Sequence, residues 1–399
     1  MTDPRNDFSF RGNDDPEHVF EVYRDLRAAC PVAHTADYGG YWALTRYQDV
    51  RDAALDPDLF ISSVRAVVPS DPRGIRRPPL NFDAPRHTPY RRALLRTLSS
   101  ARVERILDSL RPRATTLFRD FVHGDDRDIA RTFGTLLPAY AAATWLNLDE
   151  RRVEWLAATA TAWVDAWRAQ DAEQVTRRSE EMYEVARWLV ADRATNPRDI
   201  TQDPASSLLS ERVDGRPLET DLVVGALRQS LVVGMVAPPL LIGAIAAHLA
   251  ADSRLQDRLR RDADSRAAAA EEYIRLFTPY RGFARTVSRE TSLHGRTIQP
   301  EEPVTLVYAA ANRDPDVFRD PESFVLGRAN IGQHLGFGIG RHQCVGMHLA
   351  RGVIGVALDT ILDGSAELGL LGEPVPTRMP ELGYQSVQIA VTPTHASPR

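Results

Sequence analysis

From His87 to about Glu271 apolar residues recur at spacings of three and four, with few alternating runs, and that period predicts a mostly helical middle of the chain. The first hundred residues are mixed. Tyr41-Trp42-Ala43-Leu44-Thr45 reads as a strand, Gln48 to Leu55 has helical spacing, and the arginine- and proline-rich segment Val64 to Leu80 reads as a long loop. After Glu290 the texture changes to short strands, turns and prolines, with one further helix predicted from about Val345 to Leu362. No internal repeat, low-complexity block or Gly/Ser linker divides the sequence. The predicted fold is mainly α with a smaller β region, one domain over residues 1–399.

The longest uncharged run contains Ser230 to Ala250, SLVVGMVAPPLLIGAIAAHLA, which is long enough to span a bilayer. The adjacent Pro238 and Pro239, His248 within the run, and the lack of a second span or aromatic belt point elsewhere. A helix apolar all round also suits the centre of a large globular protein. A core helix, with no membrane partner, is the expectation.

Composition narrows the classes. With 399 residues, 43% apolar and 26% charged, the chain is neither disordered nor a small disulfide scaffold. Its two cysteines, Cys30 and Cys344, are too few for a secreted disulfide framework and lack zinc-site spacing, and Met1 to Arg11 has no apolar signal-peptide stretch. These features predict a reducing, cytoplasmic location. A net charge of −5 argues against a nucleic-acid binder that works through a basic face. All 49 basic residues are arginine. Codon bias accounts for that simply, but any surface for an acidic partner must then be built from arginine.

The candidate chemistry lies near the C-terminus, where His334 to Gly346 reads HLGFGIGRHQCVG ahead of a helical pattern. Cys344 there is either a small buried hydrophobe or a thiolate held at a helix start, where unpaired N–H groups favour negative charge. The glycines allow a tight turn and close approach to a flat ligand. A thiolate so placed could be an axial ligand of haem iron.

In this stretch the sequence resembles the cytochrome P450 family. Phe337 to Gly346 fits the pattern F-G-x-G-x-H-x-C-x-G at every fixed position, including Phe337, Gly338, His342, Cys344 and Gly346. Glu272-Tyr-Ile-Arg275 resembles the family's E-x-x-R helix, and Arg285 follows where bacterial members place an arginine. Asp83-Ala-Pro85-Arg86-His87-Thr-Pro-Tyr-Arg91 resembles D-P-P-x-H-x-x-x-R, with His87 and Arg91 four apart on one helical face. Ala310 to Pro315 and Cys30-Pro-Val are further family-like segments, read as structural.

The resemblance implies haem b with Cys344 as the iron ligand. Phe337 would lie beside it, and His87, Arg91, Arg285 and His342 would approach the propionates. It also implies a soluble, monomeric monooxygenase. Such an enzyme oxidises a small organic substrate, a biosynthetic intermediate by expectation, with O2 and with electrons from ferredoxin and ferredoxin reductase.

The central run departs from the family's A-G-x-[DE]-T-[TS]. Aligned on Gly234, it places Val236 at the acid and Ala237 at the alcohol position, so neither side chain can donate the protons that O–O cleavage needs. Pro238 and Pro239 lack N–H groups, so the carbonyls of Gly234 and Met235 lose their helical partners. They either hold water or a substrate donor, or simply mark a kink. Proton relay by water or substrate hydroxyls is preferred. A peroxide-driven enzyme, a non-hydroxylating oxidation and a non-catalytic haem-thiolate sensor are the alternatives. Substrate-pocket candidates by resemblance are Met235, Pro238, Tyr280, Arg281, Phe283 and Tyr384, and further candidates lie in the segments Val64 to Leu80, Ala160 to Trp167 and Leu382 to Gln385. Arg281 there would either hold a substrate carboxylate or turn toward a propionate or solvent.

Overall fold

The computed structural model describes residues 6–70 and 74–394, so part of the predicted loop, residues 71–73, lies outside the described residues. The strand expected at Tyr41 is Tyr41–Leu44 and the helix after it is Tyr47–Leu55. Val64 to Leu80 is loop where described. The middle of the chain is helical as its period predicts. Helix Ser100–His123 buries Val103, Ile106, Leu107, Leu110, Ala114, Phe118 and Phe121, one apolar stripe at spacings of three and four, and Ser99 caps its N-terminus by accepting from the Arg102 amide. That stripe packs against helix Met347–Gly364. This is the helix predicted after Cys344, displaced by two residues at each end.

The main β element is a five-stranded sheet in the order Val32–Thr35, Tyr41–Leu44, Pro303–Leu306, Phe283–Val287, Phe60–Ile61. Tyr41–Leu44 and Pro303–Leu306 run parallel, and the other pairs are antiparallel. Strand structure thus begins before Glu290, because Phe283–Val287 finds partners on both sides far away in sequence.

The central apolar stretch differs from the expectation of one long, kinked helix. Helix Thr220–Val233 ends, Gly234 to Val236 form a turn, and a second helix runs over Ala237–Ala251. The amides of Gly234 and Met235 both fold back onto the Val232 carbonyl. Pro238 and Pro239 explain the break. Neither can donate to the carbonyl four residues earlier, and each ring would crowd it, whereas both are tolerated in the first turn of a new helix. Although residues 220–251 are apolar enough to cross a membrane, most of the stretch is buried inside the protein. The first half is overlaid by the loop before helix His87–Arg96. A Cβ on Gly225 would lie 2.0 Å from the Arg76 carbonyl oxygen, so only glycine admits that approach.

Candidate functional site

The segment Leu335 to Gly346 is an irregular loop wedged between helices. Gly338 and Gly340 adopt φ of 66° and 76°, and a Cβ on Gly340 would sit 2.8 Å from the Ala54 carbonyl oxygen. The loop closes on itself when the Cys344 amide donates to the Phe337 carbonyl at 2.9 Å. A carboxylate of helix Arg266–Leu276 braces it. Glu271 accepts from Arg351 Nε at 2.7 Å and meets His334 Nε2 at 3.0 Å, tying down both sides of the loop. Arg351 in turn lies 4.8 Å over the Phe337 ring. Burial opposes the charge on Glu271, but His334 and Arg351 outweigh it and hold the carboxyl below its ordinary range. Glu272 and Arg275 form the expected pair, fully buried, at 2.7 and 2.9 Å. Arg328 joins them at 3.0 Å, a partner that no short-range spacing reveals.

Cys344 is accessible to a water-sized sphere and yet densely surrounded by protein. Both statements hold for a side chain that lines an interior slot, so its accessibility is not that of the outer surface. Burial pushes the thiol up, opposed by the Gly346 N–H and by Arg91 and Arg351.

Beside the thiol stand the predicted polar residues. The rings of His87 and His342 meet edge-on at 4.6 Å. Arg91 donates to the Gln343 carbonyl at 2.7 Å, and Arg285, buried on its strand, donates to the Ala284 carbonyl at 2.8 Å. Burial, then Arg91 and Arg341, lowers the His87 pKa to about 4, against a weaker pull from Asp83. Burial, then Arg285, His87, Arg91 and Arg341, lowers that of His342 to about 2. The Nε2 atoms of both imidazoles are buried without a hydrogen-bond partner among the described residues. Asp83 Oδ1 stands 3.9 Å from His342 Nε2, beyond hydrogen-bond reach, and two imidazole nitrogens without a hydrogen-bond partner, flanked by two guanidiniums, suit anionic groups.

The broken helix adds two accessible side chains of its own. Gln229 and Val233, four apart, are the accessible positions on its otherwise buried inner turns, and Val233 is 48% exposed. Neither was singled out from the sequence; an i, i+4 pair ending one residue before the aligned Gly234 was the available signal. Among the predicted pocket residues, Met235 and Tyr384 line one narrow cleft, together with Val236 and Pro239. Pro238 is buried, and Tyr280 packs on Phe283 with ring centroids 5.2 Å apart.

Arg281 is a correction. Its guanidinium is fully buried, paired with Asp14, bonded to the Glu381 carbonyl at 3.1 Å and stacked 4.7 Å from the Phe10 ring. The N-terminal segment supplies the carboxylate that a substrate was expected to bring.

The "Cytochrome P450" family model matches residues 266–364. A methyl-branched lipid omega-hydroxylase of Mycobacterium bovis is 30% identical over 333 residues, 81% of this chain and 77% of that protein. The chain belongs to the cytochrome P450 family. A steroid C26-monooxygenase of Mycolicibacterium smegmatis is 28% identical over 379 residues, 89% of this chain and 86% of that protein. The fold also superimposes on a Mycobacterium marinum cytochrome P450 in complex with pseudoionone, with a TM-score of 0.88, 25% identity and coverage of 98% and 99%. This P450 is a monooxygenase whose cofactor is haem b. The donor set fits that group. A thiol faces the slot, two glycines keep the loop thin, and the orphaned nitrogens of His87 and His342 with Arg91 and Arg285 suit two propionate carboxylates.

Proposed function

We propose that Cys344 ligates the haem iron and that His87, Arg91, Arg285 and His342 hold the propionates, on a P450 that oxidises a small or medium-sized, largely apolar organic substrate. The observation that carries this reading is the interior thiol beside two orphaned imidazoles. Thiolate-ligated haem supplies O–O bond cleavage. The protein's share is to hold the thiol in a braced loop through Gly346 and Phe337, to neutralise the propionates, and to enclose the substrate against the wall formed by Gln229 and Val233. The relatives are named for methyl-branched lipids and steroids, which agrees with an apolar wall that carries one amide. A biosynthetic intermediate remains the proposed substrate. Electrons are proposed to come from a ferredoxin and its reductase.

Val236 and Ala237 offer no proton donor, so Gly234, Val236 and Ala237 act by shaping the distal wall and admitting water, and protons arrive through water or substrate hydroxyls. That same observation favours a second reading, a peroxide-driven enzyme. Ligands that shift the Soret band of the haem-loaded protein identify candidate substrates, which are then incubated either with a surrogate ferredoxin, its reductase and O2 or with peroxide alone. Product formed with reductase and O2 well above that formed with peroxide supports the first reading. Equal turnover with peroxide alone contradicts it.

A further inference from the structure

One buried hydroxyl close to the cysteine loop has no partner. Ser62, 1% exposed, follows the short strand Phe60–Ile61, and its Oγ makes no hydrogen bond among the described residues. Few buried hydroxyls are left so, and each calls for a reason. Two observations place this one beside His342 and Arg285. The first is a carboxylate. Asp83 Oδ1 accepts from the Ser62 amide at 2.8 Å and stands 3.9 Å from His342 Nε2, while its Oδ2 accepts from the Ser63 amide at 3.0 Å, so Asp83 fixes the Ser62 backbone next to the imidazole. The second is register. Phe60 pairs with Val287 and Ile61 with Thr286 in antiparallel fashion, and the next position of the ladder sets Ser62 against Arg285. Side chains alternate along a strand, so Ser62 and Arg285 lie on the face that Phe60 and Val287 share in one core cluster. Arg285 reaches the cysteine loop as well. It donates to the Tyr308 hydroxyl, whose oxygen would lie 3.4 Å from a Cβ on Gly338.

We propose that Ser62 is a further cofactor-binding residue, its hydroxyl donating to a propionate carboxylate of haem b beside Arg285 and His342, with Asp83 as the residue that positions it. The proposal rests on the reading that Arg285 and His342 hold the propionates, and it adds a neutral donor to that set. A hydroxyl suits the place because it turns about one torsion to find an acceptor, and its bond to a carboxylate is charge-assisted. The donor also has a physical task. The Asp83 carboxylate lies close by and repels a second negative group, and Ser62 favours the ionised propionate without bringing a charge of its own.

The test uses the haem-loaded protein and the variants Ser62→Ala, Ser63→Ala and Arg285→Leu. Two readouts need no turnover: the rate at which haem passes to excess apomyoglobin, and the propionate-bending band of the resonance Raman spectrum, which responds to hydrogen bonds on the propionates. Ser62→Ala is expected to shift the band and to lose haem about tenfold faster, the effect of one charge-assisted bond. Ser63→Ala keeps its amide on Asp83 and lacks only the neighbouring hydroxyl, so its band stays in place and its rate changes by less than about twofold. A band unmoved in Ser62→Ala, a loss rate there within about twofold of the unmodified protein's, or the same changes in Ser63→Ala overturns the assignment. If Ser62→Ala does not take up haem, Ser62→Thr, which keeps the hydroxyl, decides: uptake with the band in place supports the assignment and any other result overturns it. Arg285→Leu separates the two readings. A band moved there but not in Ser62→Ala removes Ser62 alone, whereas a band unmoved by Arg285→Leu overturns the propionate reading beneath it.

Discussion

Single side chains carry the chemistry, and their legibility depended on how far away their partners lie. His87 illustrates a site tuned for a guest. Its folded pKa lies near 4 against 6.5 for a free imidazole, so the folded haem-free protein resists a proton that the unfolded chain accepts between those values. Stability conferred by the neutral ring is present above about pH 6.5 and is lost as pH falls toward about 4. Denaturant melts of haem-free protein should therefore show stability falling across that window, with a smaller fall in His87→Phe; an identical pH dependence in the variant would remove His87 from the account. The loop around Cys344, the Glu272–Arg275 pair and the His87–Arg91 pair were readable because each is a local spacing. Arg281 was left between substrate and propionate or solvent for the opposite reason: Asp14 and the Glu381 carbonyl lie 267 and 100 positions away, and its pairing with a protein carboxylate is made only on folding. Arg328, 56 positions from Glu272, was missed on the same ground.

Among the elements, the helix pair around Gly234 to Val236 matters most. The prolines were legible and so was the loss of two backbone bonds. Unwinding upstream of them was not, because it depends on how the two helices are held by their neighbours. With protons arriving by water, adding an alcohol at the break has little to repair. Ala237→Thr is expected to leave the fraction of electrons recovered in product within about twofold, whereas a gain of about tenfold would mean that a missing hydroxyl limits the enzyme. Helix Arg266–Leu276 works differently, through buried charge. Burial disfavours ionised Glu272, and the hydrogen bonds from Arg275, Arg328 and the Val325 amide hold its carboxyl below the usual range. Arg275→Ala leaves that carboxylate underpaired and should cost about 3–5 kcal/mol in equilibrium unfolding. A loss below about 1 kcal/mol would show the network to be dispensable.

For the whole molecule, the period of the apolar residues was enough to predict a mainly α chain with a smaller β region. The sheet order was not predictable, since its parallel pair joins Tyr41–Leu44 to Pro303–Leu306 across most of the sequence. Electron delivery belongs to this scale. With arginine as the only basic residue, docking of an acidic ferredoxin must use guanidiniums, and Arg341 is exposed on the cysteine loop itself. The second-order rate of reduction by a ferredoxin should fall with ionic strength, and Arg341→Glu should lower it by about tenfold at low salt. A rate insensitive to both would place the donor elsewhere.

The central claim is that Cys344 is the iron ligand. The absorption spectrum of the reduced, CO-bound protein tests it most directly. The unmodified chain is predicted to show its Soret band near about 450 nm, and Cys344→Ser to lose that band while still binding haem. A band near about 420 nm in the unmodified, freshly reduced protein, or an unchanged band in Cys344→Ser, would contradict it.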